Sequence, residues 1–347
     1  MYGMIKFKDW EIRQETRYSK LSYYYKDEKI DEKKLQKSVN IDEINKAKNL
    51  FLNDTINMNS FQSSDVIEVK IPDNIKTIEE RAFFNCENLE SVIMSDSVTD
   101  IEKRVFSKCS HLSNIVLSNN ITNISDYLFT DCISLENIKI PDDVEIIHKS
   151  AFSGCISLND IIIPSKITDI EVSAFSNCIS FKNIQLPNSI INIGSYAFES
   201  CIHLQNINLP EKLNNIKEYT FYNCKELKEM IIPKTVNKIG SFAFSQCKQL
   251  QKINIPEGIA TIKIGTFHHC ENLEDVTIPS SVNRIGIYAF TGCTKLKKIK
   301  LQNNVTNIDN FALEYFTKVE FNKNLDEIIK DCTAVKEKKD IEEDLEK

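Results

Sequence analysis

Ten cysteines recur in this chain at an uninterrupted spacing of 23 residues. They are Cys86, Cys109, Cys132, Cys155, Cys178, Cys201, Cys224, Cys247, Cys270 and Cys293. A fixed period of this length is typical of a stacked repeat, in which each structural unit packs only on its neighbours. The spacing therefore predicts a solenoid, and the residues that recur define its core rather than its ligand.

Other apolar residues recur at fixed positions of the same period, which we call columns. Phe stands three residues before it and Leu three residues after it, with Phe181 the one replacement. Next come two apolar residues separated by one position, as in Ile138 and Ile140. All eight prolines of the chain occupy the column that follows. This alternation predicts a short strand with one buried face, ending where proline breaks no ladder hydrogen bond. The Ala-Phe-x-x-Cys segment predicts a turn of 3₁₀ or α helix with its Phe inward.

The strand returns once in every period, so successive strands must be parallel and in register, about 4.7–4.9 Å apart. A single repeat cannot bury enough apolar surface to offset the ordering of its backbone. Stability therefore resides in the stack, which we expect to hold about ten full repeats with partial ones at each end.

The stretch 135–158, LENIKIPDDVEIIHKSAFSGCISL, resembles the repeat of the BspA-like, or Treponema pallidum type, leucine-rich repeat family. The resemblance covers about residues 66–321. It implies a right-handed leucine-rich-repeat solenoid with a parallel β-sheet on its concave face and short helical or 3₁₀ turns on its convex face. It also implies a non-enzymatic role in adhesion or protein binding, often as a surface antigen.

Charge and hydropathy bear on the kind of partner and on the location of the protein. The formal net charge of −7 gives no basic stripe for nucleic acid. The first twenty residues lack the apolar core of a secretory signal, and no apolar run approaches the roughly 18 residues that span a bilayer. These features predict a cytoplasmic protein. The family resemblance instead implies a cell surface reached by a non-classical route, with a host or matrix protein as partner.

The cysteine column predicts buried thiols that act as small hydrophobes, not disulfides, because identical positions one strand spacing apart do not meet disulfide geometry. Cys332, outside the column, is the one cysteine that we expect to react readily. The run His268-His269-Cys270 cannot supply the three convergent ligands that zinc needs. The sequence contains no nucleophile elbow, phosphate loop or zinc-protease helix, so we expect no catalytic residue, cofactor or metal.

The ends of the chain lack the period. Residues 1–64 predict a helical capping region, with apolar residues at helical spacing from Asp31 to Leu52. The alternative is that residues 1–64 carry the output of an intracellular scaffold or regulator whose solenoid, 65–321, recruits a partner. Towards the end, Leu313 and Phe316 take the Phe and Cys columns of a closing repeat. Residues 322–347 predict a charged tail.

Side chains that point outward from the strands form the candidate binding site. Three apolar and four amide residues stand out in these columns: Ile93, Val116, Ile162, Asn114, Asn137, Asn183 and Asn206. They predict a protein-binding strip on the concave face, apolar at its centre with a polar border. The alternative is that they are ordinary strand exteriors, since scattered exposed apolar residues are normal. A second column, Tyr196, Tyr219, Phe242 and Tyr288, is expected to cover the edge of the core.

Overall fold

The computed structural model describes residues 2–16, 20–296, 298–301, 304–313 and 318–321. The chain divides into two compact units, residues 1–189 and 190–347. Short strands that return every 23 residues build both units, which confirms the predicted leucine-rich-repeat solenoid. The predicted tail 322–347, with Cys332, and the predicted column position Phe316 lie outside the described residues. The division at residues 64 and 321 stays a prediction.

Four strands lie among the described residues between Gly3 and Ile30, within the region for which the sequence predicted a helical cap. The strands are β1 (Gly3–Phe7), β2 (Trp10–Gln14), β3 (Ser22–Tyr25) and β4 (Glu28–Ile30), and each pairs antiparallel with the next. Ile5 and Phe7 are buried while Lys6 between them is partly exposed. This period-two alternation favours a strand, so the helical prediction for these residues was wrong.

Helices do occur where apolar residues have helical spacing. They are α1 (Glu32–Leu35) and α2 (Ile41–Leu52). Asn40 caps α2, because its side chain accepts a hydrogen bond of 2.8 Å from the Asp42 N–H. Ile44, Ala47 and Leu50 form the buried stripe of this helix.

The N-terminal strands continue the sheet of the first repeats. β1 pairs antiparallel with β6 (Val66–Lys70), and Ile5 lies opposite Val69. From one edge to the other, the sheet contains β10 (Asn114–Val116), β8 (Ser91–Ile93), β6, β1, β2, β3 and β4. The edge of β6 is therefore covered by β1 instead of being open to another chain.

Unit 1 holds two sets of parallel strands. The first set, which forms what we call the strand face, contains β6, β8 (Ser91–Ile93), β10 (Asn114–Val116), β12 (Asn137–Lys139), β14 (Asp160–Ile162) and β16 (Asn183–Ile184). The second set contains β5 (Thr55–Ile56), β7 (Thr77–Ile78), β9 (Asp100–Ile101), β11 (Asn123–Ile124), β13 (Ile146–Ile147) and β15 (Asp169–Ile170). Pairs are in register, as Glu68, Ser91 and Asn114 are across β6, β8 and β10.

Unit 2 repeats both sets. Its strand-face strands are β18 (Asn206–Ile207), β20 (Glu229–Ile231), β22 (Lys252–Asn254), β24 (Asp275–Thr277), β26 (Lys298–Leu301) and β28 (Lys318–Phe321). The others are β17 (Asn192–Ile193), β19 (Asn215–Ile216), β21 (Lys238–Ile239), β23 (Thr261–Ile262), β25 (Arg284–Ile285) and β27 (Asn307–Ile308). The strand predicted for the closing repeat is confirmed by β28.

The Ala-Phe-x-x-Cys segments form isolated 3₁₀-type turns rather than helices. In the first, the Cys86 N–H donates to the Phe83 carbonyl at 3.3 Å. Arg81 and Asn85 both have a φ of +58°, which interrupts any helix. The N–H groups of Arg81, Phe83 and Asn85 donate instead to carbonyls of the next repeat, at 3.2, 3.1 and 2.8 Å. These bonds offset the cost of about 1–2 kcal/mol for each left-handed residue.

Stacked phenylalanines fill the core of each unit. In unit 1 the rings of Phe83, Phe106, Phe129, Phe152 and Phe175 stack in sequence with centroids 5.4–5.8 Å apart. In unit 2 the corresponding run from Phe198 to Phe290 stacks at 5.2–5.7 Å. All of these rings are fully buried. Each Phe thus packs on the same residue of the neighbouring repeat, which couples the stability of successive repeats.

The ten column cysteines are buried as thiols and not as disulfides, and nine of them illustrate the same directed contact. Each of the nine thiols donates to the backbone carbonyl of a Phe in the preceding repeat, as from Cys109 to Phe83 at 3.1 Å. The nine S···O distances are 2.9–3.2 Å. The sequence predicted small hydrophobes. The thiol proton adds a reason for cysteine at this position, since alanine or valine offers no donor to that carbonyl.

Removing one ring from the phenylalanine stack should destabilise the chain strongly. For Phe152→Ala we expect the free energy of unfolding to fall by about 3–5 kcal/mol, because a cavity replaces a buried ring. Ile162→Ala is the matched control, since Ile162 is 76% exposed, and should change stability by less than about 0.5 kcal/mol. Urea denaturation followed by circular dichroism measures both, and equal losses would contradict the stacked core.

Alkaline pH should weaken the folded chain. Burial raises the pKa of the Cys293 thiol from its ordinary 9.0 to about 12, and raises those of Cys155, Cys224 and Cys270 well above 9.0. Thiols in the unfolded chain ionise near their ordinary pKa, whereas the buried thiols stay neutral. Their contribution to the free energy of unfolding is therefore fully present below the ordinary pKa and is lost as the pH rises toward the raised pKa of the folded chain.

We therefore expect the urea midpoint to fall between about pH 8 and pH 10, before most lysines titrate. The double variant Cys155→Ala/Cys224→Ala should show a flatter dependence than the unchanged chain. A midpoint that does not change over this range would show that the thiols do not titrate as buried groups.

Candidate functional site

The structure brings together two of the three apolar residues predicted for the strip. Ile93 and Val116 are directly paired between β8 and β10, and their side chains are 39% and 48% exposed. Ile162 is 76% exposed and lies opposite Lys139 on the adjacent strand β12. The apolar centre of the predicted strip is therefore the Ile93–Val116 pair, and Ile162 is a separate exposed residue beyond a lysine.

The four predicted amide residues do not form one surface within a single unit. Asn114 and Asn137 are exposed on β10 and β12, and the Asn114 amide donates to the Ser91 hydroxyl at 3.0 Å. Asn183 is exposed on β16 in the same unit. Asn206 belongs to unit 2. Asn114 lies on the same strand as Val116, and Asn137 lies on the next strand of the strand face. These two amides can therefore border a common site with the Ile93–Val116 pair.

An open depression of about 540 Å³ adjoins Val116, and the sequence analysis did not identify it. It lies where β6, β8 and β10 end. Its lining consists of Asp73, Met94, Ser95, Asp96, Ser97, Val116, Leu117 and Asn119. The depression thus combines an apolar wall with two carboxylates at one end of the strand face.

Hydrogen bonds between neighbouring repeats fix the polar side chains of this depression. The Asp96 carboxylate accepts from the Asn119 backbone N–H at 2.9 Å, and the Asn120 amide donates to the Asp96 carbonyl at 2.6 Å. Ser95 donates to the Asp73 carboxylate. One sequence signal could have pointed here, because Ser95 and Ser118 replace proline in the column that ends the strands.

The register of the sheet places N-terminal residues on the same face as the apolar pair. Side chains alternate along a strand, and residues opposite each other share a face. Lys70 pairs with Ile93 on one side and with Met4 on the other, and Met4 pairs with Arg13. Val116, Ile93, Lys70, Met4 and Arg13 therefore form one row across five strands, which we call the strand-face row.

An aromatic residue extends this surface. Tyr24 pairs with Glu11, which pairs with Lys6, so all three lie on the face of the strand-face row. The Arg13 guanidinium lies over the Tyr24 ring, 4.4 Å from its centroid, and also bonds the Glu11 carboxylate. Sequence reasoning missed this part of the site because it assigned residues 1–64 to a helical cap.

The rings of the second aromatic column stack on one another from repeat to repeat. The Tyr196 and Tyr219 rings stack 4.7 Å apart, and Phe242 stacks on Tyr219 at 5.1 Å. The next position is Gly265, where an added Cβ would lie 2.2 Å from the Phe242 ring. The ring faces of Tyr219 and Phe242 are thus in contact with other residues of the column, which leaves little ring surface for a ligand to stack on.

The His268-His269-Cys270 run does not converge on one point. The Cys270 thiol donates into the core, to the Phe244 carbonyl at 3.1 Å. The two imidazole rings are in edge contact, with centroids 4.2 Å apart, and burial lowers the pKa of His268. A different group, Asp126, His148 and Glu171, brings three potential metal ligands within 4.8 Å of one another. Their separation by about one period each is the sequence signal that could have revealed them.

Comparison with known proteins identifies the family. The model of the BspA type leucine rich repeat region matches residues 54–181, 145–274 and 260–341. The chain therefore belongs to the BspA-type leucine-rich repeat family. A comparison with curated proteins gave no significant match.

Two solved structures illustrate the fold. A leucine rich cell surface protein from Faecalibacterium prausnitzii is 25% identical, with a TM-score of 0.54 over 78% of this chain and 83% of that one. The pneumococcal vaccine antigen PcpA is 20% identical, with a TM-score of 0.51 over 75% of each chain. The second shows a common fold alone. Within the described ranges of this chain, none of the helices has the length and apolar character to cross a membrane.

Proposed function

We propose that the protein is a non-enzymatic protein-binding module of the adhesion type, which binds its partner through the strand face of unit 1. The observation that carries the proposal is the strand-face row with Tyr24 beside it and the depression at its end. Leucine-rich repeat domains generally bind proteins, which supports this class of function. A cell-surface location is part of the proposal, because the Faecalibacterium relative is named a cell surface protein.

The composition of this face suits a protein partner. Protein interfaces have an apolar core with a polar rim, and their energetically dominant residues are enriched in Tyr and Arg. Here Ile93 and Val116 supply apolar surface, and Arg13 and Tyr24 supply the enriched types. Asp73 and Asp96 at one end add negative charge that would select a partner with basic groups there.

Charging the apolar pair should abolish partner binding. We expect the Ile93→Glu/Val116→Glu variant to lose at least tenfold in affinity, because two carboxylates would be desolvated in the contact. The assay is surface plasmon resonance of the immobilised chain against a panel of purified extracellular-matrix proteins. Ile231→Glu is the matched control, since Ile231 occupies the same column in unit 2 and is 79% exposed.

The outcomes separate the alternatives. Circular dichroism must first show that all variants are folded. Binding that survives in Ile93→Glu/Val116→Glu, or that is lost equally in Ile231→Glu, would overturn the proposed surface. Binding that survives in Ile93→Glu/Val116→Glu but is lost in Tyr24→Ala would favour the alternative in which residues 1–64 carry the function.

A further inference from the structure

Three side chains with metal-binding chemistry meet at the second set of strands in unit 1. His148 follows β13 directly and Glu171 follows β15 directly, while Asp126 stands two residues after β11. These three strands are parallel and in register, with Ile124 opposite Ile147 and Ile147 opposite Ile170. Because parallel strands end side by side about 4.8 Å apart, successive repeats deliver one ligand each to the same place.

The backbone holds this arrangement at several points. The His148 and Glu171 N–H groups donate to carbonyls of the preceding repeat at 2.9 Å each. The Lys149 backbone N–H then lies between the two carboxylates, 3.1 Å from the Asp126 Oδ1 and 3.1 Å from the Glu171 Oε2. One amide thus turns both carboxylates toward the same point, and His148 Nδ1 lies 3.2 Å from the Glu171 Oε2.

The cluster itself contains two carboxylates and no lysine or arginine. In the described part of the chain, the ion pair that Glu171 makes is with His148, and Asp126 makes none with lysine or arginine. The Lys149 ammonium and the Arg104 guanidinium lie 5.6 and 4.4 Å from the centroid of the Tyr127 ring, and the Lys149 charge also interacts with Asp126, so one cation faces two carboxylates. The cluster therefore has negative charge available for a cation.

We propose that Asp126, His148 and Glu171 form a binding site for a divalent transition-metal ion of the zinc type. Imidazole nitrogen with carboxylate oxygens is a donor set that zinc accepts, and three protein ligands leave a fourth position for water. Tetrahedral ligands about 2.1 Å from zinc are about 3.4 Å apart. The donor atoms already lie within 4.8 Å of one another on half-exposed side chains, so a closure of at most about 1.4 Å completes the site.

The bound ion would connect three successive repeats. Each ligand comes from a different repeat, so binding adds a cross-link that the folded stack possesses and the unfolded chain does not. The site is built on the second set of strands and not on the strand face, so it is independent of the proposed partner surface.

Zinc binding to the full-length chain tests the proposal. We expect equilibrium dialysis against ZnCl₂ to show one tightly bound ion per chain, with a rise in melting temperature on loading. His148→Ala and Asp126→Asn should each weaken binding at least tenfold and abolish the rise. His203→Ala is the matched control and should change neither, because His203 pairs with Glu226 at 2.7 Å but belongs to no three-ligand group among the described residues.

Several results would overturn the proposed zinc site. No bound zinc at micromolar concentration, or binding that is unchanged in His148→Ala, would overturn the site. Loss of binding confined to His268→Ala would assign the ion to the His268–His269 pair, and loss confined to Cys332→Ser would assign it to that thiol. Either result would also overturn the proposal.

Discussion

Backbone hydrogen bonds between residues 22 or 23 apart hold each repeat in one register with the next. They occur at the strand face, from Glu90 to Ile67 at 2.8 Å, at the second set of strands, from Glu79 to Ile56 at 2.9 Å, and at the turns. Because this register is constant, a residue type that recurs in sequence becomes a continuous column in space. The phenylalanine stack, the thiol column and both sheets all depend on it, and a single insertion would shift them together.

The same register separates structural columns from functional ones. Columns that face inward repeat the same residue type, because each Phe must stack on a Phe and each thiol must meet a carbonyl of the preceding repeat. Outward columns carry no such constraint, so they vary from repeat to repeat. The strand-face row and the Asp126–His148–Glu171 cluster are both built from outward positions, where three or more repeats place different side chains next to one another.

Periodicity in the sequence predicted the columns, the parallel strands and the exposed pair Ile93 and Val116, since stacking follows from the repeat alone. It did not predict the left-handed turn residues such as Arg81, because their conformation is stabilised by hydrogen bonds to the next repeat rather than by local preference. It also missed the strands of residues 3–30. The antiparallel pairing of β1 with β6 joins residues far apart in the sequence, such as Ile5 and Val69, and no repeat marks it. Arg13 and Tyr24 were consequently absent from the predicted site.

The central claim is that the N-terminal strands and the repeats form one continuous strand face, on which Arg13 lies in the same row as Ile93. Hydrogen–deuterium exchange of the full-length chain, resolved by mass spectrometry, tests this most directly. The account predicts that amides of β1 and β6 are protected to the same degree as those of β8 and β10, because paired strands open only together. Rapid exchange throughout residues 3–14, with the repeats fully protected, would contradict it.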